Sequence, residues 1–316
     1  MTKLAISLGD PAGIGPEIVV AALTANPSWC TNSVVFGDLG PLRQAAQVLG
    51  CAMPEVEIRP STDKVGEGVR LGQPSEKSGT AAVAYLEAAT NAVLAGESEA
   101  LVTAPLSKLW TQRAGFGFPG HTEFLAERCG TTDVVMMFAG PRLKVALATV
   151  HCALADVPTR LTVQRLTRVI EILDQALQRD FGMSSPRIAV VGLNPHAGEH
   201  GLLGREEQLV IEPAMAAAKI RGTLLGPWVP DAAFRMALDG AADAVVAMYH
   251  DQGLIPVKLI DFDDAVNVTI GLPIVRTSPD HGTAFDIAGQ GKARATSMIA
   301  AVQLAQRMVF ARRTHG

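Results

Sequence analysis

The chain is poor in aromatics, in cysteine and in charge of either sign. Aromatic residues make up 5% of its 316 positions, too few for the stacking surface of a general nucleic-acid binder. Lys and Arg number 27 against 31 Asp and Glu, a formal net charge of −4, so the cationic excess that neutralises phosphates is missing too. The four cysteines, Cys30, Cys51, Cys129 and Cys152, form no Cys-x-x-Cys pair. They make no disulfide framework and read as free thiols of a reducing, cytoplasmic compartment. No apolar run approaches the ~18–20 residues of a membrane span, and Asp10 interrupts the N-terminal apolar stretch before a signal-peptide core could form. What is abundant is aliphatic. A hydrophobic fraction of 48% excludes a disordered chain, and the length suffices for one large or two medium domains.

Val- and Ile-rich runs alternate with longer stretches of helical period. Leu4–Leu8, Val34–Gly37, Ala100–Thr103, Val134–Phe138, Leu143–Val150, Ile188–Leu193, Ala244–Tyr249 and Val266–Ile270 read as strands. Several lack polar alternation, as strands covered on both faces do. Helices are expected over Gly15–Thr24, Leu42–Leu49, Ser75–Ala95, His121–Cys129, Thr162–Phe181, Arg205–Lys219 and Ala293–Arg312. This alternation predicts an α/β fold with a largely parallel sheet. The turn Ala139-Gly-Pro-Arg142 adds some antiparallel pairing between its two flanking strands.

Polar residues gather where strands end, the edge at which open α/β sheets bind ligands. Leu4–Leu8 runs into Gly-Asp-Pro-Ala-Gly-Ile-Gly-Pro-Glu (Gly9–Glu17), and Ala100–Thr103 into Ala-Pro-Leu-Ser-Lys108. His151, His196 and His250 each follow a predicted strand closely. Three imidazoles on one edge can hold a divalent ion such as Zn²⁺ and leave a position open for substrate. The alternative is three unrelated histidines bonded to backbone carbonyls, and His200 is a rival third ligand. Lys258 and Arg276, with Asn267 between them and Lys108 as a further cation, sit in apolar segments where an unpaired charge is costly. An anionic phosphate or carboxylate is expected to face them; a salt bridge to Asp261, Asp263 or Asp264 is the alternative. Gly13-Ile-Gly15 lacks the third glycine of a dinucleotide fingerprint, and Pro16 reads as the first turn of a helix. No Gly-x-Ser-x-Gly elbow supports a hydrolase. In Asp280–Gly291, His281 and Asp286 flank small residues that suit a loop folded around a flat ligand.

With these segments in view, the chain resembles the 4-hydroxythreonine-4-phosphate dehydrogenase family nearly end to end. The resemblance rests on GDPAGIGPE (Gly9–Glu17), TAPLSK (Thr103–Lys108), FPGHTEF (Phe118–Phe124), GLNPHAGE (Gly192–Glu199), AMYHDQG (Ala247–Gly253) and RTSPDHGTAFDIAG (Arg276–Gly289). It implies a two-lobed α/β/α fold like that of isopropylmalate dehydrogenases, whose adenine-binding loop the last motif is similar to. The lobes are expected at 1–120 plus 278–316 on the cofactor side, and at 121–277 for metal, substrate and dimerisation. Implied ligands of one divalent metal per subunit (Zn, Mg or Co) are His151, His196 and His250, contributed across a homodimer interface. Implied substrate-binding residues are His121, Thr122, Lys258, Asn267 and Arg276, with Asp231 keeping its place although Val229-Pro precedes it where relatives often carry Pro-Ala. His281, Gly282, Ala284 and Asp286 are the implied contacts of NAD, with NADP as the alternative. The implied reaction is metal-assisted oxidative decarboxylation of 4-phosphooxy-L-threonine to 3-amino-2-oxopropyl phosphate in pyridoxal phosphate biosynthesis, with His121 or Asp251 relaying the hydroxyl proton. A dehydrogenase of a phosphorylated aldonate is the sibling alternative, and a non-catalytic metal- or phosphate-binding protein is the alternative of another class. Neither nucleic acid nor membrane is an expected partner.

Overall fold

The computed structural model describes residues 2–61 and 63–315. The chain divides into two compact units, Met1–Thr131 with Leu272–Phe310, and Thr132–Gly271 with Ala311–Gly316. The helix His121–Arg128 and Arg276 thereby fall in the first unit, where the expected lobe boundaries put both in the second.

Strands β1 (Leu4–Ser7), β2 (Ser33–Phe36), β3 (Glu57–Arg59) and β4 (Ala100–Thr103) belong to the first unit. The second holds β5 (Val135–Ala139), β6 (Lys144–Leu147), β7 (Arg187–Val191), β8 (Thr223–Trp228), β9 (Ala244–Ala247) and β10 (Val266–Ile270). The chain then returns to the first unit with β11 (Val275–Pro279). The first unit pairs its strands in the order β3-β2-β1-β4-β11, all parallel. Every residue of β1, β2 and β4 is buried, which is why their sequences show no polar alternation.

The second unit has the order β10-β5-β6-β9-β7-β8. Its β10/β5 and β5/β6 pairs are antiparallel and the rest parallel. Ala139 pairs with Lys144 across the Gly-Pro turn, the hairpin expected there. Buried Asp261 fastens that turn by accepting from the Arg142 and Leu143 amides at 3.2 and 3.0 Å. The core of this unit packs Val145, Leu147, Ala189, Val191 and Val245 against Ala233 and Ala237 of the helix Pro230–Leu238 and Leu254 and Val257 of the helix His250–Ile260. Each of the Val and Leu side chains among them contributes ~1.5–3 kcal/mol by leaving water.

Helix starts follow their signals. Pro16 lies in the first turn of the helix Gly15–Ala25, and Ser75 caps Glu76–Leu94 in a reciprocal box with Ser78. Four features depart from the sequence reading. Strands β3, β8 and β11 were not expected, because β3 and β8 are mostly half-exposed edges and β11 is polar in sequence yet wholly buried. The segment read as a helix from Arg205 opens with a π-helical stretch, Glu207–Ile211, and reaches α geometry only over Glu212–Ala217. His250-Asp-Gln-Gly253, where no helix was expected, is the first turn of a helix running to Ile260. The helices Lys108–Arg113 and Pro230–Leu238 were likewise unexpected.

Candidate active site

In the first unit a buried cation reaches from β11 to the carboxyl end of β4. Arg276 sits in β11 at 2% exposure, and its Nη2 donates to Thr103 Oγ1 on neighbouring β4 at 2.9 Å. Burial pushes the guanidinium down to about 10, against the opposing effect of Glu123, so it remains charged at neutral pH. His121 opens the helix His121–Arg128 directly after Gly120. Burial first, and then the Arg276 and Lys108 charges, hold its imidazole well below the usual 6.5. His121 Nε2 is closed off from solvent and has no hydrogen-bond partner among the described residues. A neutral imidazole with an unmatched nitrogen, beside two cations, is equipped to receive a hydroxyl attached to an anion.

Two more such atoms stand at the end of β1. Ser7 Oγ and Asp10 Oδ2 are buried without a partner among the described residues, while Asp10 Oδ1 accepts from the Ala12 amide at 3.0 Å. Burial raises the Asp10 carboxyl above its ordinary 3.8. Ser7 is the register partner of Thr103, which places it level with the hydroxyl that receives Arg276. None of this was legible beyond the polar composition of the loop.

The loop Asp280–Gly291 is fixed to the opening motif of the chain. The Ile14 amide donates to Thr283 O at 2.9 Å, and a Cβ on Gly13 would lie 2.7 Å from that same oxygen, so only glycine permits the approach. Buried Glu17 accepts from the Gly289 amide at 2.6 Å and the Gly291 amide at 3.1 Å. Sequence reasoning gave Glu17 no role; its signal was a carboxylate directly after Pro16 in an otherwise apolar helix start. Of the expected cofactor contacts, His281 Nδ1 lies 3.2 Å from Gly282 O and Ala284 holds a left-handed φ of 42°. Asp286 is exposed, and a Cβ on Gly282 would meet nothing within 4 Å.

In the second unit β6, β9 and β7 are adjacent and parallel, and His151, His250 and His196 stand beyond their carboxyl ends in turn. The structure brings two of the three together: the His151 and His250 rings are 5.7 Å apart, centroid to centroid. His250 Nδ1 pairs with Asp251 Oδ1 at 2.7 Å, the arrangement that fixes a ligating imidazole. No group of three or more His, Cys, Asp or Glu among the described residues could hold a metal ion, so His196 does not join the pair within one chain. It lies instead, with His200, in a turn whose residues 196–200 have φ of 52, 51, 81, 42 and 55°. Left-handed backbone costs a non-glycine residue ~1–2 kcal/mol, and four of these five carry a side chain.

Gln252 ties these histidine-bearing segments together, accepting from the Met248 amide at 2.6 Å and donating to Gly192 O at 2.8 Å. Beside His151 lies a cavity of about 270 Å³ with Arg160 and Arg165 in its wall, cations that the sequence reading passed over. The expectation for Lys258 needs correction. It is exposed on the helix His250–Ile260, its Nζ 6.0 Å from the Phe262 ring centroid. The apolar residues around it do not bury it, because Ile255 and Leu259 are themselves 60% and 82% exposed. Asn267 is half-buried in β10 opposite Phe138, Thr122 is half-buried, and Asp231 is exposed on the helix Pro230–Leu238.

Residues 28–305 match the family described as pyridoxal phosphate biosynthetic protein PdxA. A 4-hydroxythreonine-4-phosphate dehydrogenase of Desulfosudis oleivorans is 46% identical over 320 residues, covering 96% of this chain and 94% of the relative. The solved 4-hydroxythreonine-4-phosphate dehydrogenase of Klebsiella pneumoniae superposes with a TM-score of 0.87 at 40% identity, covering 98% of each chain. A terephthalate 1,2-cis-dihydrodiol dehydrogenase of Burkholderia xenovorans LB400 superposes at 0.66 with 32% identity, covering 97% of this chain and 98% of that one.

Proposed function

This chain belongs to the PdxA family of pyridoxal phosphate biosynthetic proteins, and from that premise we propose that it oxidises and decarboxylates 4-phosphooxy-L-threonine with NAD. The relatives' shared name makes it an oxidoreductase. The observation that carries the substrate reading is the pairing of β11 with the helix His121–Arg128: a buried, charged Arg276 and a half-buried, neutral His121 whose Nε2 is closed off and unmatched among the described residues. A phosphorylated hydroxy acid offers both an anion and a hydroxyl. The greater likeness to the phosphate-ester dehydrogenase than to the dihydrodiol enzyme favours the same substrate class.

The His151 and His250 imidazoles fit a divalent ion that prefers nitrogen ligands, and their pairing with Asp251 gives the second shell such sites use. His196 of the partner subunit is the third ligand in this reading. Exposed Leu202, Leu203, Ile255, Leu259 and Phe262 support the homodimer, since the last three lie on or just after the helix that His250 begins. The loop around Gly282, braced by Glu17 and open where a side chain would stand, fits NAD. Bound there, the ion and NAD⁺ supply Lewis-acid stabilisation of charge on a substrate oxygen and a hydride acceptor. Arg276 and Lys258 hold anionic groups of the substrate and so orient its reacting carbon. His121 bonds the substrate hydroxyl through Nε2, Thr122 and Asn267 add polar contacts, and Asp251 orients His250. A cytoplasmic location follows from the free thiols and the role, and no helix among the described residues is long and apolar enough to cross a membrane.

The test is NADH absorbance on adding 4-phosphooxy-L-threonine, NAD⁺ and Zn²⁺, Mg²⁺ or Co²⁺ in turn, with threonate 4-phosphate as the comparison. A rise with the first substrate supports the reading. A rise with threonate 4-phosphate alone assigns the aldonate reaction instead, and no rise with either overturns both.

A further inference from the structure

The left-handed turn that carries His196 is assembled around one buried carboxylate. Glu207 is 3% exposed. Its Oε1 accepts from the Leu193 and Asn194 amides, each at 2.8 Å, and its Oε2 accepts from Asn194 Nδ2 at 3.0 Å. Asn194 Nδ2 also donates to Glu206 Oε2 at 2.7 Å, so both carboxylates of the pair at 206 and 207 address the residue two before His196.

Glycines make room for this arrangement. A Cβ on Gly192 would stand 3.1 Å from Glu207 Oε1, one on Gly198 2.6 Å from Oε2, and one on Gly204 2.3 Å from Asn194 Nδ2. The carboxylate therefore touches the turn where the chain enters it and again at its middle, while Asn194 closes it at the exit. Backbone bonds close the two ends of the turn: Ala197 N donates to Asn194 O at 3.1 Å, Leu202 N to Glu199 O at 3.2 Å and Leu203 N to Gly198 O at 3.1 Å. A run of left-handed residues persists only where its surroundings over-determine it. Glu207 is also the first residue of the π-helical stretch, a geometry that recurs beside functional groups.

We propose that Glu207 is a positioning residue for His196: its carboxylate builds the left-handed turn and thereby sets the direction in which the imidazole is offered. This rests on the reading of His196 as a metal ligand. The fold needs no such turn at this point, since β7 is already paired to β8 and β9. The histidine the turn carries is the one that does not join His151 and His250 within the chain.

The experiment measures Co²⁺ and Zn²⁺ affinity by calorimetry, and the visible band of the Co²⁺-loaded protein, for E207Q, E207A, G198A and H196A. Glu207→Ala is expected to weaken metal binding at least ~10-fold and to change the Co²⁺ band. Glu207→Gln keeps the acceptor for the two amides and is expected to fall between it and the wild type. Wild-type affinity and spectrum in a folded E207A overturn the proposal. Should E207A not fold, G198A decides, because its methyl presses on the carboxylate while Glu207 stays: a matching loss supports the proposal and wild-type affinity overturns it. If H196A binds metal as the wild type does, the ligand reading fails separately. Hydrogen exchange of the Ala197–Leu203 amides then decides the remainder: faster exchange in E207Q supports the hold on the turn, and unchanged exchange overturns it.

Discussion

The carboxylate of Glu17 accepts a hydrogen bond from the Gly289 amide at 2.6 Å, across 272 residues of sequence. With the Gly291 amide at 3.1 Å on its other oxygen, it pins the far end of the loop expected to hold NAD. Removing it leaves two amides of that loop unmatched. Glu17→Ala is expected to cost ~1–3 kcal/mol of stability, read from the urea midpoint. It is also expected to weaken NADH binding ~10-fold, read from nucleotide fluorescence, because the loop must then be ordered at the moment of binding. Glu17→Gln, which keeps one acceptor, falls between. Unchanged NADH affinity in a folded E17A would refute the brace.

The neutral state of His121 has a consequence for pH. Its imidazole is held well below 6.5 in the folded chain by burial and by Arg276 and Lys108, while in the unfolded chain it titrates near its ordinary value. As pH falls through 6.5 the unfolded state takes up a proton that the folded state refuses, so stability declines on that side. His121→Gln removes this component. Urea midpoints measured from pH 7.5 down to 5 should decline less steeply in the variant than in the wild type. Identical slopes would mean that His121 is solvated and protonated like any surface histidine.

Ile255 and Leu259 are 60% and 82% exposed on the helix that begins at His250. Burying each against a second subunit contributes ~1.5–3 kcal/mol. The double change Ile255→Asp with Leu259→Asp is expected to convert a dimer into a monomer by sedimentation velocity. If His196 reaches the site from the partner, the same change lowers bound zinc per chain to below about half. A dimer that survives the change places the interface elsewhere.

Much of this was legible in the sequence because buried parallel strands advertise themselves. Continuous aliphatic runs such as Ala244–Ala247 had to be strands, and a histidine just past each of three neighbours had to lie on one edge. Arg276 was legible because a cation inside an apolar segment has a reason to be there. Lys258 follows the same local pattern and is exposed, because an exposed apolar helix face looks in sequence like one facing a core. Strand β11 was hidden by its polar letters, whose hydroxyls are satisfied internally, as when Thr277 Oγ1 donates to Ala301 O at 2.9 Å. The turn at 196–200 was hidden for a different reason. Ala and Glu carry no preference for left-handed backbone and His only a weak one, and the proposed cause, Glu207, lies on another element.

Arg276 offers the sharpest separation of stability from function. A buried charge held for the fold loses stability when replaced, whereas one held for a ligand costs stability while the ligand is absent. Thr103 Oγ1 is a neutral partner at 2.9 Å, and burial already pushes the guanidinium down to about 10, so desolvation outweighs the local compensation. Arg276→Met keeps most of the volume and removes the charge. Its stability is expected to match or exceed the wild type by up to ~1 kcal/mol, read from the urea midpoint. Turnover should meanwhile need ~100-fold more substrate, about 2.7 kcal/mol of lost binding. Arg276→Lys keeps the charge without the planar fork and should raise the KM by a smaller factor. A Met variant that is several kcal/mol less stable, with an unchanged KM, would show Arg276 to be a structural cation and remove the anion from this part of the first unit.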